Sequence, residues 1–227
     1  RYISVTGVQT CALPISPRLL AHAPENQRSA GGFLALPRGP VALLSVLAAV
    51  MFLVEGALLD WSALLLTDTG LTTADQAGLG YAVFAVAMTV GRFGGDAVTG
   101  RFGDRAVVLW GALVVLAGFG MLLLVRRFEV AMAAFALIGL GAANVVPVLF
   151  RRAGSQSRMP AATAISAVTM FGYAGYLLGP AVLGFVSQQA GLPAAFWTLA
   201  GLMSLVPALA RPATALPAPA SKEAAAR

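Results

Sequence analysis

"VALLSVLAAVMFLVEGALLDWSALLL", Val41 to Leu66, runs for 26 residues with charge only at Glu55 and Asp60. Coiled as an α-helix it would rise about 39 Å, enough to cross a hydrocarbon core of roughly 30 Å. The whole chain shares this character. Of 227 residues, 59% are hydrophobic and 11% charged, and the mean hydropathy is +0.83, whereas a soluble domain carries about a quarter charged residues. Five further apolar runs follow: Ala77 to Ala97, Ala106 to Val125, Val130 to Phe150, Ala161 to Ser187 and Leu192 to Ala210. None alternates with a period of two, as a membrane barrel strand would. The expected fold is all-α, a polytopic six-transmembrane-helix bundle.

Charge orients the bundle. If the segment before Val41 is cytoplasmic, the cytoplasmic stretches hold eleven Lys and Arg, and the outer stretches hold only Arg126 and Arg127. That asymmetry satisfies the positive-inside rule with both ends cytoplasmic. Abundant Ala, Gly and Pro with many Arg and a single Lys suggest a GC-rich bacterial genome, so the expected location is a bacterial inner membrane crossed several times. The net charge of +6 is explained by basic loops beside anionic lipid. Basic residues are not interleaved with aromatics as in a nucleic-acid binder, so no nucleic-acid partner is expected.

Four segments are expected along the chain: 1–16, 17–39, the bundle over 40–210, and 211–227. "VTGVQTCALPI", Val5 to Ile15, resembles the translation of a widely used sequencing-adapter oligonucleotide, and a start at Arg1 without methionine fits a fragment read through its adapter. The sole cysteine, Cys11, lies inside it, so no disulfide or cysteine chemistry is assigned to the protein proper. Residues 17–39 are expected to be a cytoplasmic linker, and the Pro/Ala-rich residues 211–227 a disordered cytoplasmic tail.

The interior polar residues carry the functional expectations. A carboxylate at mid-bilayer costs about 2.5–3.5 kcal/mol on insertion scales and normally faces the bundle interior or a wet cavity. Glu55 lies near the middle of its span. It is expected either to face a central cavity or to pair with a neighbouring helix. Asp60, five residues on, is turned about 140° away, and is expected nearer the outer end beside Trp61, as a cavity residue or an interfacial acid. In "GRFGGDAVTGRFGDR", Gly91 to Arg105, the four-residue spacing of Arg92 and Asp96 would let them pair on a helix face. Gly91 and Gly95 form a small-xxx-small contact. Arg101, Gly103 and Arg105 follow in the loop.

This stretch resembles the cytoplasmic loop motif of the major facilitator superfamily, in the form with Arg, Gly-Asp and Arg-Phe-Gly. "EGALLDWSALLL", "LIGLGAANVVPVLFRRAG" and "TMFGYAGYLLGPAVLGFVSQQAG" resemble, in order, the seventh, tenth and eleventh helices of a bacterial branch of that superfamily. The resemblance covers about Pro40 to Ala210 and is specific to the superfamily, not to a substrate. It implies that the chain is the C-terminal half, helices seven to twelve, of a twelve-helix transporter whose N-terminal six-helix half is missing. The usual loop motif carries an acid where Gly100 stands and a base where Asp104 stands. Either Asp96 has taken over the acid's part in an inward gate formed by Gly91, Arg92, Gly95, Asp96, Arg101, Gly103 and Arg105, or the motif marks topology alone.

Family mechanism implies two bundles rocking about a midplane site. Pro147 in the fourth span, and Gly179 with Pro180 in the fifth, are expected hinges. Gly172, Gly175 and Gly184 extend a smooth face in the fifth span. Asn144, Tyr173 and Tyr176 are candidate contacts for the solute, or else packing residues. The expected function is a secondary active transporter, not an enzyme, moving a small solute by alternating access. Its expected partners are the solute, a proton carried by Glu55, membrane lipid and the missing half. The alternative is a non-transporting integral membrane protein, either a lipid-handling enzyme or a sensor. "GLGAAN", Gly139 to Asn144, lacks the preceding strand and distal acid of a dinucleotide site, and no phosphate loop or cluster of metal ligands occurs. No cofactor is expected.

Overall fold

The computed structural model of the chain describes residues 37–214. The expectations for residues 1–16, for most of the linker and for residues 215–227 lie outside the described residues. Within them the chain is all-helical: α1 Pro40–Asp68, α2 Leu79–Phe93, α3 Gly95–Leu124, α4 Phe128–Ala142, α5 Val145–Ser155, α6 Ala161–Ala190, α7 Leu192–Met203 and α8 Leu205–Thr214. Five helical stretches are long and apolar enough to cross a membrane: α1, α3, α4 with α5, α6, and α7 with α8. The sixth expected span is not one unbroken helix, because Gly94 divides it into α2 and the first residues of α3.

Where each span breaks follows from local chemistry. Gly94 separates α2 from α3, and Gly103 interrupts α3 with φ 78° and ψ 161°. A positive φ is costly for any residue with a Cβ, so glycine is what permits this corner. The second span therefore continues past Gly94 through Phe102, and the third begins at Asp104. The fourth span divides at Ala143–Asn144. Pro147 explains the position, since its ring clashes with the carbonyl four residues earlier, on Ala143, and it donates no N–H. Pro207 acts on Met203 in the same way, and α7 gives way to α8 at Ser204. In α6, by contrast, the helix runs through Pro180 without a break.

One boundary and one pairing differ from expectation. The tail was expected from residue 211, yet α8 continues to Thr214. Asp96 was expected to pair with Arg92, yet both are exposed and no ion pair joins them among the described residues. The Gly94 break falls between them and removes the register that a four-residue spacing requires.

Packing is pairwise and close. α1 lies along α6, while α2 and α3 pack on either side of α4, and α3 also meets α8. The glycine stripe of α6 faces α1: a Cβ on Gly172 would stand 3.2 Å from the Phe52 ring, and one on Gly179 would stand 3.2 Å from the Leu53 carbonyl oxygen. Gly175 is tighter still, its Cβ position falling on the backbone of Ala49. The core between helices is filled by Leu44, Leu58, Phe119, Phe135, Ile138 and Phe196, all fully buried.

Candidate functional site

The two membrane acids lie on α1, and their neighbours come from α2 and α6. Glu55 stands thirteen residues before the end of α1 at Asp68, and Arg92 thirteen residues after the start of α2 at Leu79. Because the two helices run antiparallel from that shared end, both side chains lie at about the same depth, roughly 20 Å in. Arg92 acts electrostatically on Glu55. Glu55 is half-buried, and no hydrogen bond or close ion pair reaches its carboxylate among the described residues. The sequence alone placed Arg92 at the cytoplasmic exit of its span. The helix bounds instead put it level with the acid.

Helical geometry turns Asp60 about 140° from Glu55, but the two still share neighbours. Tyr81 of α2 and Tyr176 of α6 lie within electrostatic range of both acids. Gly56 explains the approach of Tyr176: a Cβ there would stand 3.0 Å from its ring, so the missing side chain lets the tyrosine come close to α1. Asp60 is exposed and Tyr173 is 57% exposed. Phe52 bridges Tyr173 at 5.6 Å and Phe150 at 6.5 Å between ring centroids, giving an aromatic wall beside the acids. Sequence reasoning missed Tyr81 and Phe52. Their signal was weak, for Tyr81 near the start of its helix resembles an interfacial anchor, and Phe52 in mid-span reads as one more apolar residue of a membrane helix.

Asn144 is not among these neighbours. Its Nδ2 donates to the Gly91 carbonyl oxygen at 3.0 Å. Gly95 leaves room for it, since a Cβ there would collide with the Asn144 side-chain oxygen. Asn144, expected as a solute contact, is instead tied to the expected gate segment at Gly91 and Gly95. Pro147 sits one turn beyond, in the first turn of α5.

The gate segment has one ionic tie. Asp104 pairs with Arg151 and with Arg152 at the C-terminal end of α5. Asp104 opens a helix and the arginines close one, so both signs suit the helix dipoles. The acid that makes the tie is thus Asp104, which stands where the family motif carries a base, and not Asp96. Arg101 lies over the Phe102 ring at 5.8 Å. Gly103 makes the corner described above. Among the described residues no group of three His, Cys, Asp or Glu comes together to hold a metal ion.

A model of the Major Facilitator Superfamily matches residues 43–227. An uncharacterized MFS-type transporter of Yersinia pestis is 45% identical over 184 residues, 81% of this chain and 48% of its own length. The membrane protein MosC of Rhizobium meliloti is 31% identical over 191 residues, covering 83% of this chain and 46% of itself. The chain thus spans about half the length of the curated relatives it matches. Among solved structures, the peptide transporter POT in complex with sulfate superposes with a TM-score of 0.67 over 92% of this chain and 46% of its own. At 21% identity that likeness speaks for the fold.

Proposed function

The chain belongs to the Major Facilitator Superfamily, and on that premise we propose that it is the C-terminal six-helix half of a bacterial secondary active transporter. It works with a six-helix N-terminal partner bundle in the inner membrane, with both ends of this half cytoplasmic. The full assembly moves a small polar or amphipathic solute by alternating access, coupled to protons.

Glu55 carries the proposal. A half-buried carboxylate at the middle of an apolar span, without a hydrogen bond and level with Arg92, is poorly stabilised as structure alone. It is well suited to exchange a proton. Deprotonated, it attracts Arg92 and holds α1 to α2; protonated, it releases that attraction, and the two helices can part around the solute. Asp60, Tyr81, Tyr173 and Tyr176 offer hydrogen bonds and aromatic surface to the solute, while Phe52 closes the wall. Asn144, Pro147, Gly179 and Pro180 lie where helices meet or break and serve the rocking motion. Gly91, Arg92, Gly95, Asp96, Arg101, Gly103 and Arg105 frame the inward gate, closed in part by Asp104 on Arg151 and Arg152.

The test is Glu55→Gln in the full-length parent. Solute added to de-energised cells should alkalinise the medium with the unaltered protein if the solute enters with protons, or acidify it if they exchange. The variant should express normally and give no pH change. An unchanged proton signal from that variant would end the proposal.

A further inference from the structure

An arginine in mid-span is as costly as an acid there, and Arg92 has no structural partner to offset that cost. It is exposed and makes no hydrogen bond or ion pair among the described residues. Its helix fixes its direction. Arg92 stands eleven residues after Tyr81 on the unbroken α2, so three turns place the two side chains about 20° apart around the axis. That face meets the acids, since Tyr81 lies within electrostatic range of Glu55 and Asp60. Val86 and Val90, 65% and 60% exposed, are turned about 120° and 160° from Arg92 and give α2 a separate apolar surface. We propose that Arg92 binds the carboxylate of an amphipathic monocarboxylate solute, whose apolar body lies against the rings of Phe52, Tyr173 and Tyr176.

This assignment rests on Glu55 as the proton carrier, and charge balance leads to it. Ionised, Glu55 supplies Arg92 with a counter-charge. Protonated, it supplies none, and a guanidinium without one in an apolar span is costly. A solute carboxylate restores the balance and accepts two parallel N–H bonds from the guanidinium. One proton on Glu55 and one carboxylate on Arg92 thus bind together with no net change in charge. A cationic solute has the opposite relation, because neutralising Glu55 would leave it facing Arg92 alone. Position limits the solute further. Phe52 and Gly56 lie about 60° and 100° around α1 from Glu55, on the side where Phe52 meets Tyr173 and Gly56 meets Tyr176. Aromatic surface therefore begins within one turn of the acid. Asp60 stands about 7.5 Å further out along α1, where it would repel a second carboxylate.

Thermal stabilisation of the purified full-length parent in detergent can be measured with four probes of similar shape: 3-phenylpropionate, its amide, 3-phenylpropylamine and phenylalanine. 3-Phenylpropionate should stabilise the protein at concentrations where the amide and the amine do not, and more strongly than phenylalanine. Its apparent affinity should fall about ten-fold or more in Arg92→Gln and recover in part in Arg92→Lys. It should rise in Glu55→Gln, where no carboxylate of the protein competes for the guanidinium. Arg101→Gln should leave it unchanged. Equal stabilisation by any of the other three probes, no response to 3-phenylpropionate, or undiminished affinity in Arg92→Gln would overturn the assignment. Should Arg92→Gln not fold, an affinity that fails to rise in Glu55→Gln overturns it. No gradient enters these measurements. If Glu55→Gln leaves the proton signal intact while the acid still needs Arg92, the reading of Glu55 as proton carrier falls and the carboxylate assignment stands.

Discussion

The side-chain amide of Asn144 donates to the Gly91 carbonyl at 3.0 Å, clipping the break in the fourth span to the second span one turn before that span breaks at Gly94. Two interruptions meet at one hydrogen bond. Asn144→Ala should lower stability by about 1 kcal/mol, in the range measured for interhelical hydrogen bonds in membranes. Gly95→Ala should cost more, because its methyl group displaces the Asn144 side chain and breaks the same bond. The cost of Gly95→Ala should shrink in the Asn144→Ala background. Thermal unfolding in detergent across this double-mutant cycle checks the coupling, and strictly additive losses would separate the two residues.

Asp104 divides its carboxylate between Arg151 and Arg152, so the three charges should respond unequally. Asp104→Asn removes both pairs at once, whereas Arg151→Gln leaves Arg152 in place. The aspartate variant should therefore destabilise more, by about 1 kcal/mol for a partly exposed network. Raising the salt concentration should narrow the difference. Protease cleavage rates in the 94–105 segment are a direct readout.

Glycines in these helices are not equivalent. A methyl group on Gly175 would fall on the backbone of Ala49 and force α1 from α6, whereas one on Gly120 meets nothing within 4 Å. Gly175→Ala should cost about 1–3 kcal/mol as overpacking. Gly120→Ala should be neutral or stabilising, by up to about 1 kcal/mol from helix propensity. Comparing their melting temperatures tests the α1–α6 contact against propensity.

Six apolar spans were legible in the sequence because lipid forces every backbone polar group into a helix and penalises charge within it. Their interruptions were half legible. Pro147 announced a break in the fourth span, but the same chemistry at Pro207 went unread inside a stretch that looked uniformly apolar. The Arg92–Asp96 pair failed for a local reason: the spacing presumes an unbroken helix, and Gly94 breaks it. The partners of Asp104 could not be inferred from spacing at all, since Arg151 is 47 residues away and only the fold brings them together. The glycines of α6 were legible as a smooth face, yet that face could be matched to Phe52, Ala49 and Leu53 only once α1 was in place. Tyr176 stood out as a hydroxyl in an apolar run, but its close approach to α1 depends on the gap left by Gly56.

The most direct test of Glu55 as the proton carrier compares two transport modes of the full-length parent in proteoliposomes. Solute exchange with no gradient requires the bundles to rock but no net proton movement, whereas accumulation driven by a pH gradient requires both. Glu55→Gln, fixed in the neutral state, should retain exchange and lose gradient-driven movement, while Glu55→Asp should retain part of each. Gradient-driven movement at the unaltered rate in Glu55→Gln would contradict the account.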